Sequence, residues 1–457
     1  MSAAIRQAGK NDVDMTSGSI VSHLIRFSLP LLAGNLFQQF YNTVDTWVVG
    51  NFVSNEAFSA VGSVGPIATL LVGFFMGLAS GSGVVISQYY GAKRYDKVQE
   101  AVHTCLLMTI LLGLVFTVTG IIMSPYMLRL MKTPETVMPE ALTYLRIIYS
   151  GVSGLMLYNM GAGILRAVGD SKRPFYFLVV CALLNIVLDL LFVPVFHMGV
   201  EGVAYATILS QLASALLVLA VLKRSQGCVQ LHFRKLRLHG AILKKIVRVG
   251  IPAALQMSVT SFSNIFVQSY INFFGDDVMA GWTAYNKVDQ LLFLPMLSIA
   301  MAATTFVGQN LGCNQVERAK KGVRRALGIA LITTLISMVP ILFFASPVVA
   351  FFNPKPAVIR WGALLLRWLT PFYLLSCFNQ VYTGALRGSG NSKVPMIIML
   401  TSFVAFRQVY LFAMSRICNE VIPIAMSYPA GWLLCSILTG LYYHKAPLGR
   451  SRLVDDN

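Results

Sequence analysis

An aspartate lies inside an apolar stretch that is long enough to cross a membrane. The stretch, residues 26–51, also carries Asn35, Gln38 and Asn42, which precede Asp45 at spacings of three, four and three residues. These spacings place the four polar side chains on one face of a helix. A carboxylate in the middle of a bilayer costs on the order of 3 kcal/mol. Asp45 is therefore expected to face a cavity or a partner rather than lipid.

A second acid offers the same chemistry. Asn185 and Asp189 are four residues apart in the apolar segment CALLNIVLDLLFVP, so they share a helical face, and Thr207 lies in the next apolar segment. With Asp45 they supply carboxylate, amide and hydroxyl oxygens, which suit a small cation such as Na⁺ or can hold a proton. The other interpretation is a hydrogen-bond network that only joins helices. Because intramembrane acids are costly, we predict cation or proton coupling at these four residues.

Other polar and adaptable side chains in the apolar segments would give a cavity a mixed lining. Such surfaces suit organic ligands of varied shape, although packing alone would account for each residue taken singly. The candidate substrate-lining residues are Asn35, Gln38, Tyr41, Asn42, Asn159 and Met257.

The composition places these residues in a membrane. Of the 457 residues 56% are hydrophobic and only 12% are charged, and the mean hydropathy is +0.68, which excludes a soluble globular protein. Apolar runs of the roughly 20 residues that a bilayer core requires recur along the chain. The sequence therefore predicts an all-α polytopic membrane protein with twelve transmembrane helices. They are expected at about 20–50, 57–87, 98–123, 138–165, 174–196, 200–222, 244–274, 278–308, 323–346, 357–385, 394–416 and 421–443.

The basic residues indicate how the chain is oriented. If alternate connections lie on the same side as the N-terminus, 27 of the 36 Lys and Arg residues fall on that side. Cytoplasmic segments are enriched in Lys and Arg, so both termini are expected in the cytoplasm of a multi-pass protein of the plasma membrane. The net charge of +18 then reflects topology and attraction to anionic membrane lipids, and a nucleic-acid partner is not expected.

An internal repeat divides the chain into two halves. The segments GILRAVGDSKRP (163–174) and GALRGSGNSKVP (384–395) recur at an offset of 221 residues, as do Gln88-x-x-Gly91 and Gln309-x-x-Gly312. Each half has six spans, an even number, so equivalent points of the two halves lie on the same side of the membrane. The halves are therefore parallel repeats, which favours a two-lobed transporter that works by alternating access. The predicted parts are a cytoplasmic tail at 1–19, an N-lobe at 20–222, a basic cytoplasmic linker at 223–245, a C-lobe at 246–443 and a cytoplasmic tail at 444–457.

Two prolines recur at nearly the same offset. Pro30 and Pro252 lie near the inner ends of the first helix of each half. Proline removes a backbone hydrogen bond and bends a helix. Both are therefore candidate hinges for alternating access, with a plain structural kink as the alternative.

The second half keeps the frame of the repeat but not its acids. The positions equivalent to Asp45, Asn185, Asp189 and Thr207 are Val267, Phe406, Tyr410 and Tyr428. The acid site is therefore expected in the N-lobe alone. Three later acids, Asp276, Asp277 and Asp289, are expected to be solvated charges in or near an external loop.

The repeated loops are basic and rich in glycine, as many phosphate sites are. They lack the strand–loop–helix context and the GK[ST] ending of an ATP-binding loop. They are expected to form tight cytoplasmic turns, with Arg166 and Arg387 capping helix C-termini or contacting lipid. No ATPase module is visible, so transport would use an ion gradient or the substrate's own gradient.

Together these residues resemble the multidrug and toxic compound extrusion (MATE) family. The resemblance covers about residues 15–445 and rests on Pro30, Asp45, the Asn185-x3-Asp189 pair, Thr207, the Gln-x-x-Gly repeats and both LRxxG[DN]SKxP loops. It implies two six-helix lobes around a V-shaped cleft, and drug export driven by inward flow of Na⁺ or H⁺. It also implies that Asp45 and Asp189, with Asn185 and Thr207, form an N-lobe cation site. Another branch of the family places acidic coupling residues in the C-lobe, and this sequence lacks them at the corresponding places.

The expected function is secondary active multidrug efflux by a monomeric transporter that is not an enzyme. H⁺ or Na⁺ would be exchanged for organic, often cationic, amphipathic compounds, and no cofactor besides the coupling ion is expected. The first alternative is a flippase of lipid-linked oligosaccharide or lipid with a related fold, which would favour a cationic cleft lined by Arg146, Arg367 and Arg407. The second is a membrane receptor or scaffold without transport, against which the repeat and the intramembrane acids both argue.

Overall fold

The computed structural model describes residues 13–53, 55–131, 133–446 and 448–454. Within these residues the regular structure is helical, and no β-strand occurs. The α-helices are α1 (Ile20–Phe52), α2 (Asn55–Gly91), α3 (Tyr95–Leu130), α4 (Met138–Ala167), α5 (Lys172–Phe192), α6 (Gly199–Arg224), α7 (Gly240–Asn272), α8 (Asp276–Gly312), α9 (Val316–Phe343), α10 (Ala345–Phe352), α11 (Pro356–Leu369), α12 (Tyr373–Gly388), α13 (Lys393–Leu400), α14 (Arg407–Ile417), α15 (Val421–Ala425) and α16 (Ser427–Lys445).

Eleven helical stretches in the described residues are long and apolar enough to cross a membrane. Three of them join neighbouring helices: α11 with α12, α13 with α14, and α15 with α16. Helix α7 is not among the eleven, but at 33 residues it matches the predicted seventh span in position and length. A π-helical segment, Thr401–Phe406, separates α13 from α14. The predicted all-helical membrane fold is confirmed.

The chain forms two compact units. The first comprises the chain up to Asp14 together with Ala33–Gly250, and the second comprises Met15–Leu32 together with the chain from Ile251 onward. The boundary therefore passes through α1 just after Pro30 and through α7 just before Pro252. Each of these helices begins in one unit and ends in the other.

Small residues let the helices of the first unit approach closely. Helix α4 contacts α2, α3 and α6, so it forms the centre of this unit. Gly120 of α3 lies directly against the ring of Tyr149, and Gly151 of α4 lies against Ile208. Membrane helices associate by van der Waals packing rather than by the hydrophobic effect, so such close contacts stabilise the unit. In the second unit α8 holds the central position, in contact with α9, α11 and α12.

The two repeated loops fold into the same turn. In each, the glycine after the helix, Gly169 or Gly390, has a positive φ, +89° and +96°. Its N–H donates to the carbonyl of the repeat arginine (3.0 and 2.9 Å), and the N–H of the next residue donates to the preceding leucine carbonyl (3.0 Å in both). This is a Schellman helix end, which requires the left-handed conformation that glycine adopts without strain. The side chains of Asp170 and Asn391 then accept from N–H groups at the start of the next helix.

Of the two roles expected for Arg387, capping a helix C-terminus or contacting lipid, its burial excludes contact with lipid. Its side chain is only 8% exposed, and Nη2 donates to Oε1 of Gln256 at 3.4 Å. Because α12 packs against α8 and α16, the last turn of the helix is enclosed within the second unit. Arg166, its counterpart, is half-buried in the last turn of α4.

Gly81→Ala is expected to destabilise the first unit. An added Cβ would clash with the backbone of Gly250 at the start of α7, and backbone cannot move aside as a flexible side chain can. Overpacking of this kind costs about 1–3 kcal/mol, so the midpoint of thermal unfolding in detergent should fall. Gly328→Ala in α9 is the control, because a Cβ there meets no atom within 4 Å. Equal midpoints for the two variants would contradict the close packing of α2 on α7.

Candidate cation site

The two predicted acids meet inside the first unit. Asp45 lies in α1, partly buried, and Asp189 lies near the end of α5 with no exposed surface. Their carboxyl groups interact with each other directly, although no hydrogen bond of good geometry joins them. Two carboxylates held this close repel each other unless a cation or a proton lies between them.

The polar atoms at this place lack hydrogen-bond partners among the described residues. Both oxygens of Asp189, both side-chain polar atoms of Asn185 and Oδ1 of Asp45 are buried and unpartnered. Asn185 is 2% exposed and lies one helical turn before Asp189. Buried polar atoms in proteins are nearly always paired, so such a group of unpaired atoms, all of them acceptors except Nδ2 of Asn185, indicates a place for a ligand. Carboxylate and amide oxygens are suitable ligands for a small hard cation.

Thr207 is not joined to the acids by hydrogen bonds. It lies half-buried in α6, and its hydroxyl donates to the carbonyl of Val203 at 3.0 Å. The atoms of Asn185 and Asp189 are unpartnered, so neither accepts from Thr207. Its oxygen keeps lone pairs for a cation, and its role as a fourth ligand stays a prediction.

Tyr144 is a neighbour of the acids that sequence reasoning missed. It lies in α4, is 8% exposed, and interacts electrostatically with Asp45, Asp189 and Tyr41. Its hydroxyl is therefore a candidate hydrogen-bond donor to whichever carboxylate is charged. A tyrosine in an apolar run is more often a packing residue, and no spacing in the chain connects it with acids on α1 and α5.

The predicted lining residues are divided between the two units. Tyr41 is close to Gln38 and Asp45 in the first unit. Asn159 is buried in α4, and its Nδ2 donates to the carbonyl of Leu155 at 2.9 Å, one turn back on its own helix. Asn35 and Asn42 lie on α1, also in the first unit, whereas Met257 belongs to the second. Their contact with a substrate stays a prediction.

A different polar cluster occupies the second unit. Arg407 is 1% exposed and follows the π-helical segment. Its Nη1 donates to Oδ1 of Asn264 at 3.0 Å, and its guanidinium lies 4.4 Å from the ring centre of Tyr428. Asn264 and Tyr428 are the repeat equivalents of Asn42 and Thr207. The second unit therefore has a buried cation in contact with residues that are equivalent, in the repeat, to two polar residues of the first unit.

The interpretation of Asp289 as a solvated loop residue is wrong. Helix α8 begins at Asp276, so Asp289 lies more than three turns inside it. The carboxylate accepts from the hydroxyl of Tyr373 and, at 3.4 Å, from that of Tyr285. It also interacts electrostatically with Arg407. Its position near a predicted external loop suggested a solvated charge, but Asp289 lies inside helix α8.

The other late acids and arginines lie near the surface. Asp276 and Asp277 occupy the first turn of α8, where Oδ1 of Asp277 accepts from Nζ of Lys355 at 2.6 Å. Arg146 on α4 and Arg367 on α11 have exposed side chains. Of the three arginines that would favour a cationic cleft, only Arg407 is buried, and it is surrounded by its own partners.

The helical architecture and the repeated turns define a polytopic helical membrane protein built from two repeats. The chain belongs to the MatE family, whose model matches residues 30–191 and 252–410. It is 31% identical over 425 residues to the probable multidrug resistance protein YoeA of Bacillus subtilis, covering 91% of this chain and 92% of that protein. It is 27% identical over 449 residues to the probable multidrug resistance protein NorM of Thermotoga maritima, covering 95% and 96%.

The fold also matches a solved transporter. An outward-facing multidrug resistance MATE family transporter of the MOP superfamily superposes with a TM-score of 0.90 at 25% identity, covering 96% of this chain and 98% of that one. Family members are transporters and not enzymes. The chain is therefore a member of a family of multidrug efflux transporters for small organic substrates.

Arg407→Gln is expected to destabilise the second unit. The change removes a positive charge that interacts electrostatically with Asp289, and with it the charged donor to Asn264. Losing a hydrogen bond of a buried charged group costs about 1.5–3 kcal/mol, so thermal unfolding in detergent should begin at a lower temperature.

Adding Asp289→Asn to the Arg407→Gln variant should restore part of the lost stability, because the carboxylate that has lost its nearby positive charge is then also removed. Coupling between interacting residues is about 0.5–3 kcal/mol, and the thermal midpoints of the wild type, both single variants and the double variant measure it. Strict additivity would show that Asp289 and Arg407 do not interact.

Proposed function

We propose that this protein exports organic, often cationic, amphipathic compounds in exchange for H⁺ or Na⁺. The observation that carries the proposal is the buried pair of Asp45 and Asp189, whose unpartnered oxygens lie beside the unpartnered amide of Asn185. Such a group of oxygens favours binding of a cation or a proton and disfavours binding of an anion. Membership of a multidrug efflux family supports the class of substrate.

Coupling follows from differential affinity. An inward-moving ion at Asp45, Asn185 and Asp189, with Thr207 as a further ligand, would favour one conformation, and substrate binding would favour another. Binding of the ion then lowers the affinity for the substrate, and binding of the substrate lowers the affinity for the ion by the same factor, as thermodynamic linkage requires. The coupling ion is a transported species, and no other cofactor is needed.

Pro30 and Pro252 are proposed hinges for the conformational change. The boundary between the compact units passes close to both prolines, within helices that continue from one unit to the other. A residue that lacks the backbone N–H weakens the helix at that point, so bending there requires little disruption.

The protein is proposed to act as a monomer in the plasma membrane with both termini in the cytoplasm. The distribution of Lys and Arg supports this orientation. Described residues near each end of the chain lie at the repeated turns: the N–H of Val13 donates to the carbonyl of Val168, and Ser451 and Leu453 lie against Gly390. Val13 and Leu453 therefore each lie beside a basic turn, which supports the proposed orientation.

The alternative of a lipid or oligosaccharide flippase is less well supported. A flippase for an anionic head group would need free cationic side chains in its interior. The buried Arg407 instead has Asn264 and Ser263 as acceptors and Asp289 as a counter-charge. The unpartnered polar side chains of the candidate site are acids and an amide.

Asp45→Asn is expected to abolish ion-driven efflux while the protein still inserts and folds. The amide cannot release a proton and has no charge for Na⁺, so an imposed gradient can no longer drive transport. Efflux from proteoliposomes should fall at least about 100-fold. Removing one of two interacting buried charges costs about 2.7 kcal/mol or more of ion-binding free energy, and this energy corresponds to a factor of about 100. Separately imposed pH and Na⁺ gradients identify the coupling ion.

Asp277→Asn is the matched control for this measurement. It removes a carboxylate of the same kind from the exposed start of α8, outside the candidate site. Full gradient-driven efflux by Asp45→Asn would refute the proposed coupling site. Equal losses in the two variants would mean that the general charge of the protein, and not Asp45, matters.

A further inference from the structure

The segment between α6 and α7 forms one wall of a cavity at the beginning of α3. The cavity has a volume of about 400 Å³. Gln99 and His103 line it from α3, and Arg234, Lys235, Leu236, Arg237 and His239 line it from the connecting segment. All of these residues belong to the first unit. No acid lines the cavity, and three of its side chains carry a permanent positive charge.

The connecting segment is fixed to α3 on one side of the cavity. The buried ring of His103 accepts from the N–H of His232 at its Nε2 (3.1 Å), while its Nδ1 donates to the carbonyl of Gln99 (2.7 Å). A backbone N–H can only donate, so this pair of contacts fixes the ring in its neutral form. The rings of His103 and His232 also stack with centres 6.2 Å apart. The wall of the cavity is therefore held by specific contacts.

A second anchor holds the other end of the segment. The hydroxyl of Thr104 contacts the carbonyl of Arg237 at 3.4 Å and accepts from the N–H of His239 at 3.2 Å. His239 immediately precedes α7, which begins at Gly240. The first N–H groups of a helix have no partner within the helix, and the helix dipole makes this end positive. The start of a 33-residue helix therefore adds to the positive potential beside the cavity.

The cationic side chains of the cavity are not neutralised by neighbours. Arg234, Lys235 and Arg237 are exposed, and none forms an ion pair within the described residues. The acid on the adjacent turn of α3, Glu100, is already paired with Lys97 at 2.8 Å. Three cations held around one cavity without counter-charges repel one another, and an anion that bridges them removes this repulsion.

The three basic side chains suit a phosphate group, which offers several oxygens to more than one cation. Guanidinium groups bind the oxygens of phosphate in a bidentate manner, and lysine adds a compact charge. The surroundings favour a lipid as its source. Phe233 and Leu238 are 53% and 37% exposed beside these cations, at the ends of membrane-spanning helices. An apolar side chain next to basic residues at this level is typical of contact with the interface of an anionic membrane.

We propose that this cavity binds the phosphodiester head group of an anionic phospholipid. The lipid would join α3, the connecting segment and the start of α7 through one phosphate. The site is separate from the acids of the candidate cation site, and the proposal does not depend on which ion or substrate is transported.

The test compares lipid binding by the full-length protein and a cavity variant, Arg234→Gln/Arg237→Gln. Native mass spectrometry in detergent measures retention of phosphatidylglycerol and phosphatidylcholine, each added separately. The wild type is expected to prefer phosphatidylglycerol by about 10-fold or more, the effect of two basic residues near a lipid phosphate. The cavity variant should lose this preference. Lys235→Gln/Arg237→Gln removes the same charge and should behave alike.

The matched control, Arg324→Gln/Arg325→Gln, removes two exposed positive charges from α9 in the second unit. It should keep the preference for phosphatidylglycerol. Equal losses in the control and the cavity variants would overturn the proposal, because general surface charge would then explain the binding.

A further arm distinguishes the source of the phosphate. Inorganic phosphate is added to the wild type in the absence of lipid, and thermal unfolding is measured. Stabilisation by inorganic phosphate without any preference between the two lipids would assign the cavity to a soluble phosphate and overturn the lipid assignment. Lipid preference that depends on the cavity arginines, with weak or no effect of inorganic phosphate, supports it.

Discussion

Hydrocarbon offers no hydrogen-bond partner, so every polar group that this chain places in a membrane must find one inside the protein. Two buried charged groups, one in each unit, meet this constraint differently, although Nε of Arg407 also lacks a partner among the described residues. In the second unit Arg407 has an amide, a hydroxyl and an aromatic face, and Asp289 has two tyrosine hydroxyls. In the first unit the oxygens of Asp189 and the amide of Asn185 have no partner. Satisfied charges stabilise a fold, whereas unsatisfied ones leave a place for an ion.

The repeat explains why the two units can differ so much in chemistry. The turns that connect the helices have the same hydrogen bonds in both halves, down to the left-handed residue at Gly169 and Gly390. A second pair of turns shows the same agreement at Lys93 and Asn314, with φ of +57° and +62°. The backbone frame is therefore set by helix ends and small residues at contacts. Side chains inside the frame are free to diverge, as long as each intramembrane charge is balanced.

The sequence allowed the membrane fold, the repeat and the pairing of Asp45 with Asp189 to be predicted, because each depends on hydropathy, spacing or the cost of a buried acid. It did not reveal Tyr144 beside the acids or the enclosure of Arg387. These depend on which faces of distant helices meet, and periodicity on one helix carries no information about its neighbours. Asp289 was misjudged because Tyr373 and Arg407, with which it interacts, lie on the distant helices α12 and α14.

Helix α1 joins the candidate site to the division between the units. Its first part, with Pro30, belongs to the second unit, and its remainder, with Asp45, belongs to the first. Asp45 lies 13 residues beyond Leu32, the last residue on the far side of this boundary, which is about 20 Å along a helix. Because Asp45 and Asp189 both belong to the first unit, a bend at Pro30 changes their separation only where the part of α1 after Leu32 also shifts relative to α5. The affinity of the pair for a cation depends steeply on their separation. Ion occupancy and the bend of α1 are for this reason expected to be linked through a single helix.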